Sequence, residues 1–128
     1  VISTLTIKEL VQMTSSDIKI VPKGWGYEKW IVNKPEYCGK LLFFFKDKRC
    51  SFHYHKLKDE TFYVQSGRIL LRYSDTDTPD KEIVLGPGDS FHIYRLLRHQ
   101  MIAIEDTELF EFSTQHFDED SYRVFKGD

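Results

Sequence analysis

From Tyr27 to Ser113 the chain is cut into strand-length runs rich in β-branched and aromatic residues, with a turn signal about every eight to twelve residues. The runs fall at 27–32, 40–46, 51–55, 60–65, 68–73, 81–85, 90–94, 99–104 and 108–113. Between them stand Lys23-Gly24-Trp25-Gly26, the turn-rich 33–39, Ser66-Gly67, a polar loop with Pro79, and Gly86-Pro87-Gly88-Asp89. Such spacing predicts an all-β sandwich or barrel with hairpin connections, and closure into a barrel removes exposed strand edges. The segment 90–94 reads as a continuation of the strand at 81–85 beyond the Gly-Pro-Gly-Asp turn. A chain of 128 residues fits one domain. Residues 1–22 read as an N-terminal extension packing on the barrel, with a short helix at 6–13 where Ile7, Leu10 and Val11 take helical spacing. The barrel occupies 23–117, and 118–128 form a C-terminal tail in which Tyr122, Val124 and Phe125 can dock.

Inside this frame His53, His55 and Glu60 stand in an H-x-H-x4-E run, followed after six residues by Gly67, and His99 opens a later strand. Successive side chains on a strand point to opposite faces, so His53 and His55 aim at one point and Tyr54 points away. The polar residues 56–59 make a hairpin turn, and Glu60 opens the next strand, which returns a carboxylate to the level of the imidazoles. A histidine pair alone is ordinarily solvated; three metal-competent residues at strand-compatible spacing, with His99 beyond, point instead to a metal site. Neutral imidazole with carboxylate suits one divalent ion of Zn, Fe, Mn, Ni or Co. Three or four protein ligands leave positions open for water or substrate.

Other residues carry weaker expectations. Phe43, Phe44 and Phe45 read as core packing on both faces of a strand, and Trp25 as packing on the barrel. Tyr27 can floor a sugar ring. Lys40 and Lys46 share strand parity; Lys46 is a candidate for an anionic group, with a solvated face the ordinary reading of both. His92 takes the parity opposite to the core. Arg123 can hold an anionic group, as guanidinium forks suit phosphate, or pair at the surface with Asp118 or Glu119. The net charge of −2, with Lys and Arg interleaved among Asp and Glu, provides no basic stripe for nucleic acid. Cys38 and Cys50 are spaced as reduced thiols of a cytosol-like compartment. No apolar run approaches a membrane span, and 1–5 carry no secretion signal, so the expectation is a cytoplasmic protein with no membrane partner.

His53, His55, Glu60 and Gly67 resemble the first motif of the cupins, and Gly86-Pro87-Gly88-Asp89 followed by His99 resembles the second. The resemblance implies a double-stranded β-helix, or jelly-roll, barrel, one metal held by His53, His55, Glu60 and His99, and a homodimer. The second motif carries Tyr94, Leu96 and Ala103 where the family has Pro, Gly and Asn, which predicts a different loop ahead of His99. A narrower likeness joins Lys23-Gly24-Trp25-Gly26-Tyr27-Glu28 and Asp118-Glu119-Asp120-Ser121-Tyr122-Arg123 to the cupin domains of type II mannose-6-phosphate isomerases. That branch implies isomerisation of a sugar or sugar phosphate: a chelated ion acidifies the C–H between carbonyl and hydroxyl, and a base moves the proton. Glu60 serves as base if its bond to the metal is weak; Glu111 and His116 are the other candidates. The same donor set also suits an Fe(II)-dependent dioxygenase, and a third reading is a non-catalytic cupin that holds a small molecule or sugar nucleotide.

Overall fold

The structure, a computed structural model, describes residues 18–128. The helix expected at 6–13 lies outside them. Eleven strands follow in order among the described residues: β1 (Lys19–Lys23), β2 (Gly26–Lys34), β3 (Tyr37–Phe44), β4 (Phe52–Tyr54), β5 (Glu60–Ser66), β6 (Ile69–Ser74), β7 (Lys81–Leu85), β8 (Ser90–Ile93), β9 (Arg98–Ala103), β10 (Thr107–Ser113) and β11 (Tyr122–Phe125). They form two sheets, one of six strands in the order β1-β2-β3-β10-β5-β8 and one of five in the order β11-β4-β9-β6-β7. All pairings are antiparallel. This is the two-sheet jelly roll that the resemblance implied, within the all-β class that the strand spacing predicted. Among the described residues no helix is long and apolar enough to cross a membrane.

Alternation decides which side chains face inward. Along β3, Cys38, Lys40, Leu42 and Phe44 are buried and their neighbours are not. Only Phe44 of the three consecutive phenylalanines therefore enters the core: Phe43 stacks on Tyr27 outside the barrel, with centroids 5.4 Å apart, and Phe45 is 52% exposed. The hairpin between β2 and β3 is also tighter than its composition suggested, because the strands run on to Lys34 and resume at Tyr37. Lys19–Lys23, expected as the end of the N-terminal extension and the first residue of the following turn, is a strand paired with β2. Tyr122–Phe125, expected in the tail, is a strand of the five-stranded sheet.

A further difference concerns the Gly86-Pro87-Gly88-Asp89 turn. β7 belongs to one sheet and β8 to the other, so the turn carries the chain across the barrel instead of prolonging a strand. Gly88 N–H donates to Val64 O and Val64 N–H to Asp89 O, which fastens the crossing to β5. The interior is divided by polarity. One end is an apolar plug in which Phe44, Val64, Ile69, Leu71 and Leu109 are wholly buried. Each such side chain contributes about 1.5–3 kcal/mol over its exposed state. At the other end β2, β3, β5, β9 and β10 turn Trp30, Lys40, Glu60, His99 and Glu111 into the cavity.

Candidate metal centre

β4 and β9 meet at the pair His53 and His99, and His55 follows two residues on from His53. The three imidazoles present ligand atoms that all lie within 4.8 Å of one another. Each ring is oriented from behind by a carbonyl oxygen, which can only accept. His53 Nδ1 donates to Ser51 O at 2.9 Å, His55 Nδ1 to Asp120 O at 2.7 Å and His99 Nδ1 to Leu97 O at 2.9 Å. With the proton placed on Nδ1, each neutral ring offers a bare Nε2 lone pair. Burial, and then the neighbouring imidazoles, hold His53 well below the ordinary histidine range and bring His99 down to about 3.

Glu60 completes the arrangement. Its Oε2 lies 3.2 Å from His55 Nε2 and 3.4 Å from His99 Nε2. Neither carboxylate oxygen has a hydrogen-bond partner among the described residues, although both are buried. Converging lone pairs and a carboxylate without protons between them repel one another, and a buried unpartnered carboxylate is costly. A divalent cation removes both difficulties, so the residues present fit such an ion.

The centre lines a cavity of about 660 Å3, within the usual range for a small-molecule site. The wall beyond the histidines is charged. Lys58, 4% exposed, donates through Nζ to Glu111 Oε2 at 2.9 Å and lies 3.7 Å from Glu60 Oε1. Burial opposes its charge, but Glu111 and Glu60 raise its pKa above the usual lysine range. Burial likewise works against ionised Glu111, and Lys58 and Lys40 outweigh it, holding the carboxyl well below the usual range. Lys40 lies 3.5 Å from Glu28 and over the Trp30 ring, whose indole N–H donates to Glu28 at 2.8 Å. Two ammonium groups thus face the three carboxylates Glu28, Glu60 and Glu111. A bound divalent ion turns this balance from one net negative charge to one net positive.

From Lys58 a hydrogen-bonded chain leads outward. Its Nζ donates to His116 Nδ1 at 3.2 Å, and His116 Nε2 donates to the exposed Asp118 at 2.9 Å. Of the residues expected in the site, His53, His55, Glu60, His99, Glu111, His116 and Arg123 all line this cavity. Arg123 joins the cross-sheet row Tyr73, His99, His53. Tyr27 and Lys46 lie elsewhere: Tyr27 stacks on Phe43 at the outer face, and Lys46 is exposed, its backbone N–H donating to Asp106. Lys40, expected on a solvated face, is 1% exposed. His92 does face outward and meets Asp59. Lys58 was not singled out from the sequence, and Glu28 and Asp120 stood only within the quoted stretches, with no role in the site. Lys58 stands two residues before Glu60, and that shared parity was the available signal.

The family model for the cupin domain matches residues 46–113, more than half of the chain. No curated protein matches the sequence. Among solved structures the fold is similar to KdgF from Halomonas sp., with a TM-score of 0.65 and 20% identity over 73% of this chain and 81% of that one. It is also similar to oxalate decarboxylase from Bacillus subtilis, with a TM-score of 0.75 and 17% identity over 84% of this chain and 30% of that one. The capsular polysaccharide assembling protein CapF from Staphylococcus aureus gives a TM-score of 0.69 and 17% identity over 83% of this chain and 34% of that one. At these identities the likeness shows the fold, and the chain spans about a third of the latter two proteins. The three converging histidines and Glu60 all fall within the matched span, and the chain belongs to the cupin family.

Proposed function

We propose that this cupin binds one divalent metal ion through His53, His55, Glu60 and His99 and isomerises a sugar or sugar phosphate, as a homodimer. The observation that carries the metal reading is the set of three carbonyl-oriented imidazoles facing a buried carboxylate with no hydrogen-bond partner among the described residues. A divalent ion there supplies a Lewis acid for a chelating carbonyl and hydroxyl. The protein's own groups handle charge and protons. Lys58 keeps an ammonium beside Glu60 and Glu111, where it favours negative charge developing on a substrate oxygen. Glu111 and His116 are the proton-handling groups on the wall, and His116 connects the cavity to solvent through Asp118. Arg123, on the same cross-sheet row as His53, takes the anionic group of the substrate. Tyr27 and Lys46, away from the cavity, have no part in this reading.

Replacing His53 and His55 together by Ala is expected to abolish metal retention in elemental analysis of the purified protein, where the native chain holds one ion. Unchanged stoichiometry would overturn the site assignment. With metal loaded, a thermal-shift screen against aldoses, ketoses, their phosphates and nucleotide sugars is expected to show stabilisation by the phosphorylated sugars, followed by aldose–ketose interconversion. Oxygen uptake by the iron-loaded protein, with no isomerisation, would replace this reaction with an oxygenase.

A further inference from the structure

Two of the ligands, His53 in β4 and His55 one residue past its end, sit on a short segment held between β9 and β11. β4 is three residues long, and within it a single pair, His53 with His99, joins it to β9. On its other side β11 pairs with it at Phe52, His53 and Tyr54. Phe125 stacks on Phe52 and Tyr122 on Tyr54, at centroid distances of 5.0 and 5.3 Å. Beyond β11 the chain is tied again: Asp128 N–H donates to Arg49 O, and Arg49 N–H donates to the Asp128 carboxylate. Gly127 passes so near this stretch that a Cβ there would fall 2.6 Å from Arg49 O.

Asp120, just before β11, is tied to the ligands most directly. Its carbonyl accepts from His55 Nδ1 at 2.7 Å and so sets which nitrogen of His55 faces the centre. Its carboxylate, in a residue 3% exposed, accepts the backbone N–H groups of Lys56, Leu57 and Lys58 at 2.9–3.2 Å. Those residues form the turn between His55 and Glu60. One residue, more than 60 positions along the chain, therefore holds the His55 ring and the backbone that separates two ligands.

We propose that 120–125 is the positioning element of the metal centre, with Asp120 as its positioning residue, so that docking of this segment and binding of the ion are one coupled equilibrium. The inference rests on the metal site proposed above. Linkage makes the coupling reciprocal: an undocked segment weakens the ion, and the ion holds the segment down.

Two measurements with Co2+ test it. Hydrogen exchange on the native chain, with and without Co2+, reads the coupling without any substitution. Amide exchange at 56–58 and 121–125 is expected to slow by at least about tenfold on loading, more than at Ile69 and Leu85 in the apolar plug. Asp120→Asn places an amide NH2 against the backbone donors of the 56–58 turn. It is expected to weaken Co2+ about 10–100-fold and to change its visible absorption, with the metal-free variant still folded. Exchange at these segments unaltered by stoichiometric Co2+, or a folded D120N chain with native affinity and spectrum, overturns the coupling and leaves the site standing. A native chain that takes up no stoichiometric Co2+ overturns both.

Discussion

At Leu96 the backbone takes φ 74°, the left-handed region that costs an L-residue about 1–2 kcal/mol relative to glycine. The conformation is held because Leu96 N–H donates to His55 O at 2.8 Å, hanging the loop before His99 on a ligand residue just past β4. At this position the sequence carries Leu where the resemblance has glycine, and the backbone takes an angle that suits glycine, its cost borne elsewhere in the fold. Leu96 is 50% exposed, so its side chain contributes little to the core. Leu96→Gly is accordingly expected to stabilise the metal-free protein by up to about 1 kcal/mol, after the extra chain entropy of glycine is subtracted, raising Tm by a few degrees. A lower Tm in thermal unfolding would show that the Leu96 side chain matters more than its backbone angle.

Elements differ in how much of them could be read in advance. β7 matches its expected bounds because its apolar run is framed by Asp80 and Gly86. The partner strands of β7 and β8 could not be read, since periodicity marks a strand but not the sheet it joins. H-x-H-x4-E was legible because its parity is local. Asp120 was not, because its ties to 56–58 are set by tertiary pairing of distant segments. The β4–β5 turn shows the same limit: 56–59 looks like a solvated turn, yet Lys58 is buried because β10 presents Glu111 to it. Lys58→Met is expected to destabilise the metal-free protein by about 3–5 kcal/mol, since it leaves Glu111 buried without its nearest cation. Combining it with Glu111→Leu should recover most of that loss in a denaturant-unfolding cycle. Additive losses in the double variant would show that the two side chains do not act as a pair. Gly67, the glycine of the first motif, was legible and is required. At φ 86° it turns β5 into β6 where a Cβ would lie 2.7 Å from Thr107 Cα.

The whole molecule joins an apolar plug, indifferent to pH, to a polar end built from groups that acid can charge. His116 reports on that end without belonging to the ligand set. Burial, and then the ammonium groups of Lys40 and Lys58, hold it below the ordinary histidine range, while Asp118 pulls the other way. Its Nδ1 accepts from Lys58, a role that only the neutral ring can fill. An unfolded histidine titrates near about 6.5. As pH falls through that value the unfolded chain takes up a proton that folded His116 resists. Its contribution is therefore complete above about pH 6.5 and is lost progressively toward the depressed folded value. The Asp118 carboxyl, lowered chiefly by its hydrogen bond from His116, has the same sign in a lower window, below the unfolded carboxylate value of about 4. Between about pH 6.5 and 4 His116 acts alongside His53 and His99, which burial also holds low and which His116→Gln leaves unchanged. The Tm of the metal-free native chain is thus expected to fall from pH 7.5 to 5 by more than that of His116→Gln, whose amide oxygen can still accept from Lys58 but takes no proton. Equal slopes for the two proteins would mean that His116 is no part of the acid-sensitive half.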